Sequence, residues 1–162
     1  MLQRLLTAAA AFWLLAACGP VLVADDASKR ELISRQHIEV WSRGNLAAID
    51  EIFSHDFVGH FPGAVVEGRR ALKAYVDDQR NAHPQWRESV QSVIVEGSRG
   101  ASQVLLHDGA VAALLGAASM EGALILEQGS LFEFERGRII RQWVYPDTTR
   151  AQQATGHPGL MP

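Results

Sequence analysis

Leu131-Phe132-Glu133-Phe134-Glu135-Arg136-Gly137-Arg138-Ile139-Ile140-Arg141-Gln142-Trp143-Val144-Tyr145 holds two β-type runs either side of Arg136-Gly137. Apolar and polar residues repeating with a period of two, interrupted by a glycine turn, predict an antiparallel hairpin. The first strand runs over 123–135, with Phe132 and Phe134 on one face. The last runs over 138–145, and Trp143, Tyr145 and Asp147 share one parity. Side chains on a strand alternate faces, and a large Trp marks the apolar side, so this parity predicts that Asp147 points inward.

Working back from the hairpin, residues 89–96 read as a strand with Val90, Val93 and Val95, and 101–108 as another ending at Asp108-Gly109. The alanine-rich stretch 110–122 reads equally as strand, loop or helix. Before Pro84 the period changes to near four. Ser28 and Glu31 have capping-box spacing. The helix after them carries Leu32, Ile33, Val40 and Trp41 on one face, with Gln36 and His37 between. Gly44 and Asn45 stop it and start a short helix over 46–53. A third helix over 69–82 carries Leu72, Tyr75 and Val76. Helices first and strands after give an α+β fold: a cone-shaped, curved antiparallel sheet of four to six strands, packed against three N-terminal helices around an internal pocket.

The N-terminus sets the compartment. An apolar run over 5–17, broken only by Thr7, follows Arg4 and is too short to span a bilayer, as in a signal-peptide core. It ends in Leu15-Ala16-Ala17-Cys18-Gly19, which resembles the lipobox of bacterial lipoproteins. Cys18 is the chain's one cysteine. The expectation is a leader over 1–17, a lipidated Cys18 as membrane anchor, a tether over 18–27, one domain over 28–150 and a loose tail over 151–162. The competing reading is an ordinary secreted protein cut near Ala24. Gly19 and Pro20 do not supply the Asp that marks inner-membrane retention, so the location expected is the cell envelope, with the outer membrane favoured where one exists. A net charge of −3 without a basic patch argues against nucleic acid as a partner.

Several stretches resemble, in order, the SnoaL-like polyketide cyclases of the nuclear transport factor 2-like superfamily. They are Trp41-Ser42-Arg43-Gly44-Asn45-Leu46, the segment from Phe53 through Asp56-Phe57-Val58 to His60, Glu67-Gly68 before Arg69-Arg70-Ala71-Leu72, Val93-Ile94-Val95-Glu96-Gly97, and the terminal hairpin with Trp143 to Asp147. The chain departs from that pattern at Gly97-Ser98-Arg99-Gly100 and in the bland stretch after 110. The resemblance implies a cofactor-free cyclase, isomerase or hydrolase acting on a small apolar carbonyl compound, with Asp147 as general acid/base, and a homodimer joined through the open face of the sheet. A non-catalytic envelope module that binds a small apolar ligand or a protein is the alternative.

On residue types alone, Pro146-Asp147-Thr148 reads first as a strand-ending turn whose Asp caps backbone amides. His60 is the second catalytic candidate, as a donor to a substrate oxygen or a partner of Asp147; a core or rim histidine is its competing reading. Trp41, Phe57, Tyr75, His107, Phe132, Trp143 and Tyr145 are expected to line the pocket. His37 reads as core or pocket lining. His55, Asp56 and His60 are too poorly spaced for a metal, so neither metal nor cofactor is expected.

Overall fold

The computed structural model of the chain describes residues 25–108 and 124–147. The leader with Cys18, most of the tether, the stretch 110–122 and the tail lie outside the described residues. The order is α1 (Asp26–Arg35), running directly into a π-helical segment (Gln36–Ser42), then α2 (Ala48–Ile52), β1 (Phe53–Phe61), β2 (Ala64–Glu67), α3 (Gly68–Ala82), β3 (Arg87–Glu96), β4 (Arg99–Asp108), β5 (Leu124–Glu135) and β6 (Arg138–Pro146).

The expected α+β architecture is present: three helices lie against a curved, unclosed six-stranded sheet in the order β2-β1-β6-β5-β4-β3. The sheet is mixed, not purely antiparallel, because β1 and β6 run parallel. The segment from Phe53 to Phe61 is β1, folded back on β2 through Pro62 and Gly63. The cap of α1 also differs from expectation. Asp25 Oδ1 accepts the Ser28 amide at 2.7 Å, so the helix starts three residues earlier than the Ser28–Glu31 spacing implies.

The inner face of the sheet buries Phe53, Phe57, Val95, Phe132, Phe134 and Ile139 against Ile33, Val40, Ile49, Ile52, Leu72 and Val76 from the helices. Packing of apolar faces supplies most of what holds such short helices in place. Lys29, whose side chain is almost wholly buried, donates from Nζ to Gly97 O at 2.7 Å and ties α1 to the β3–β4 turn.

Two irregularities position everything that follows. In the π segment, residues five apart stack on the same side. Trp41 Nε1 donates to Gln36 Oε1 at 3.1 Å, and Ser42 Oγ to His37 O at 2.9 Å, so all four of these residues are buried. In β6, Glu133 faces Arg141 while Phe134 faces Ile139. Ile140 is therefore an extra residue, a β-bulge. Before it Ile139 faces inward; beyond it Gln142, Val144 and Pro146 take that face.

Candidate functional site

A cavity of about 210 Å³ lies between the sheet and the helices. Gln142, Val144 and Pro146 of β6, Gln128 of β5, Leu106 of β4 and Glu88 of β3 form its floor, and Phe61 and Pro62 close one end. Trp41 from the π segment, Tyr75 and Gln79 from α3, and Trp86 complete the wall. The wall is aromatic on the helical side because Trp41 stacks on Trp86 at 5.5 Å between ring centres and meets Phe61 and Tyr75 edge-on. Arg80 holds this wall from behind. Its Nη1 donates to Trp41 O at 2.5 Å and Ser42 O at 3.1 Å, and reaches Trp86 O at 3.5 Å. Gly44, at φ +71°, lets Arg80 come so close: a Cβ there would sit 2.7 Å from its Nε.

Glu88 is the acid of the cavity wall among the described residues. Its side chain is 1% exposed. Burial of a carboxylate is tolerated only when donors replace its water. Trp86 Nε1 donates to Oε1 at 3.1 Å, and Oε2 lies 2.5 Å from His37 Nδ1. Against an ionised carboxylate, which can only accept, Nδ1 would be the donor. His37 Nε2 lies 2.9 Å from Ser102 Oγ. The Glu88 amide donates to Ser42 Oγ at 2.8 Å, which fixes the backbone as well. The result is a buried chain, Glu88–His37–Ser102, whose carboxylate end faces the cavity. Tyr75 brings a hydroxyl to the same space, and burial pushes its pKa upward, so it remains a donor at neutral pH.

The residues picked out from the sequence divide between the two faces of the sheet. Trp41 and Tyr75 line the cavity. Phe57 and Phe132 are fully buried in the core beside it. His60, Trp143, Tyr145, His107 and Asp147 do not reach it. His60 stacks on Trp143 at 5.5 Å with the rings 3° from parallel, on the outer face. Tyr145 is 56% exposed. His107 Nε2 lies 3.1 Å from Ser89 Oγ, also on the outside. Asp147 is exposed, and its amide donates to Glu127 O at 2.7 Å.

The expectation of an inward Asp147 near His60 is thus corrected: Trp143, its mark of the apolar side, stacks with His60 on the outer face. Trp143, Tyr145 and Asp147 share sequence parity with the buried Ile139, but Ile140 shifts them to the opposite face. The same device hid Glu88. A register shift between Val90 and Ser92 separates inward Glu88 and Val90 from inward Val93 and Val95. The available signal was the parity of Trp86, Glu88 and Val90 by themselves. Likewise Gln128 and Ser130 continue the buried parity of Phe132 and Phe134.

A family model described as SnoaL-like domain matches residues 34–142. No curated protein matches the chain. Among solved structures, a candidate SnoaL-like polyketide cyclase from Jannaschia sp. CCS1 shares 21% identity at a TM-score of 0.66, over 87% of this chain and 97% of its own. TsrD from Streptomyces laurentii shares 18% at 0.65, over 82% and 97%. IdmH of Streptomyces antibioticus, a candidate polyketide cyclase, shares 16% at 0.61, over 80% and 99%. At these identities the likeness is one of fold.

Proposed function

The chain belongs to the SnoaL-like domain family, and from that premise we propose that it turns over a small, largely apolar carbonyl compound without a cofactor, by proton transfer at Glu88. The observation that carries this reading is a carboxylate set in the wall of an aromatic cavity and oriented by two donors. Removing a proton from carbon beside a carbonyl needs a base held at hydrogen-bond reach in a site that excludes water. Glu88 has the burial and the fixed geometry for that task. The Tyr75 hydroxyl is the donor available to the developing oxyanion. His37 acts through Glu88, holding its orientation and, with Ser102, its own tautomer. Cyclisation, isomerisation and elimination-type hydrolysis all begin with such a step.

The test is solvent deuterium exchange at the α-carbon of a compact ring ketone, 2-tetralone, followed by NMR. The wild type should accelerate exchange over buffer. Glu88→Gln should lose about 10²–10⁴-fold of that acceleration, the usual weight of a general base. Asp147→Asn should keep it, since Asp147 is exposed and outside the lining of the cavity. Exchange that survives Glu88→Gln, or falls with Asp147→Asn, refutes the assignment. Binding without exchange would support the second reading, a non-catalytic module that holds a small ligand.

The compartment is a separate proposal that rests on the leader alone. Lipidation of Cys18 would hold the domain at the cell-envelope membrane on the tether over 18–27.

A further inference from the structure

Resting on the reading of this cavity as the binding site, we infer that its ligand is a small, non-anionic ring compound that donates a hydrogen bond to Gln142, from a hydroxyl, enol or N–H group. Gln142 is 1% exposed and lines the cavity from β6, yet its Oε1 has no hydrogen-bond partner. A buried amide oxygen left unpaired costs far more than a paired one. In a native fold such a group needs a reason, and a small turn of a side chain that lines a cavity brings its oxygen to a donor that enters.

The surrounding chemistry narrows the ligand further. Glu88 is a second acceptor with spare lone pairs, so two residues of the cavity floor carry acceptor oxygens. No Lys, Arg or His stands among the described residues of the lining, and Glu88 would repel an anion at close range in a poorly hydrated site. Carboxylates and phosphates are therefore excluded as the group that docks here. The aromatic wall of Trp41, Trp86 and Tyr75 suits the face of a ring. A dry cavity of about 150 Å³ holds one benzene, so about 210 Å³ admits one to two fused rings.

Three naphthalenes of nearly one shape separate these chemistries by calorimetric titration of the purified protein: 2-naphthol as donor, 2-methoxynaphthalene as acceptor only, and 2-naphthoate as anion. The wild type should bind 2-naphthol at least about tenfold more tightly than the methyl ether, and 2-naphthoate most weakly. Gln142→Leu should reduce the tenfold preference to less than twofold. It should also leave the thermal midpoint unchanged or raised, because an apolar side chain of similar shape replaces an unsatisfied one. Equal binding of the ether and the alcohol, tight binding of the naphthoate, or a preference that persists in Gln142→Leu overturns the inference. Should 2-tetralone exchange still depend on Glu88 in that case, the proposed reaction stands and only the ligand class falls. Should no naphthalene bind, both lose the cavity they share.

Discussion

At the scale of single residues, close contacts set what the site tolerates. Gly100 on β4 lies where α1 crosses the sheet. A Cβ there would sit 2.8 Å from Ile33 Cδ1 and 3.2 Å from both Phe134 Cε2 and Ile94 O. Ile33 is fully buried, so it has little room to withdraw. Gly100→Ala should therefore destabilise the protein by about 1–3 kcal/mol, as overpacking does, in urea unfolding followed by circular dichroism. A loss under about 0.5 kcal/mol would mean that α1 shifts to accept the methyl. Residue chemistry was partly legible beforehand. Gln36 and His37 on the apolar face of the first helix point to an interior with polar content, and Trp41 and Tyr75 stand in the wall of a cavity. Glu88 was not named, because its partners come from distant points in the chain. His37 lies 51 residues away and Ser102 reaches it through that ring. No local spacing encodes such a contact.

At the scale of elements, the period of the sequence predicts three helices and strands over 89–96, 101–108, 123–135 and 138–145, and these elements are present with slightly different ends. The failures fall at irregularities. A helix period of 3.6 does not align Gln36 with Trp41 or His37 with Ser42; the π segment does, by widening its turn. A strand period of two does not survive an extra residue, and both β3 and β6 contain one. On β6 the misplacement follows from reading a large Trp as the mark of the inner face, whereas beyond Ile140 that face belongs to Gln142, Val144 and Pro146. The parallel pairing of β1 with β6 was equally hidden, since strand direction in a sheet is set by long-range packing and leaves no mark in local alternation.

At the scale of the whole molecule, the outer face of the sheet carries one row that crosses every strand. Val65, His60, Trp143, Leu131, Ala101 and Ile94 stand side by side in register. Val65 and Ile94 are more than 60% exposed and Leu131 nearly half. A contiguous apolar stripe of this width is a surface that soluble proteins cover. We propose that a second copy of the chain covers it, giving a homodimer. Sedimentation velocity should show a dimer at micromolar concentration, and Leu131→Asp should convert it to a folded monomer. A dimer untouched by that charge uses another surface. The anchor is tested separately: radiolabelled palmitate should enter the wild type and not Cys18→Ala, and label that persists in the mutant excludes Cys18 as the acceptor.

The single residue Ile140 works as a frame shifter. Everything C-terminal to it on β6 belongs to whichever face its presence dictates, so a one-codon deletion there would exchange two complete sets of side chains at once. Gln142, Val144 and Pro146 would leave the interior, and Trp143, Tyr145 and Asp147 would enter it. One length change at this site could therefore reassign a binding surface into a chamber with a new acid, leaving every codon beyond it unchanged. Descent by insertion and deletion, as well as by substitution, is thus an open route to new chemistry on this scaffold.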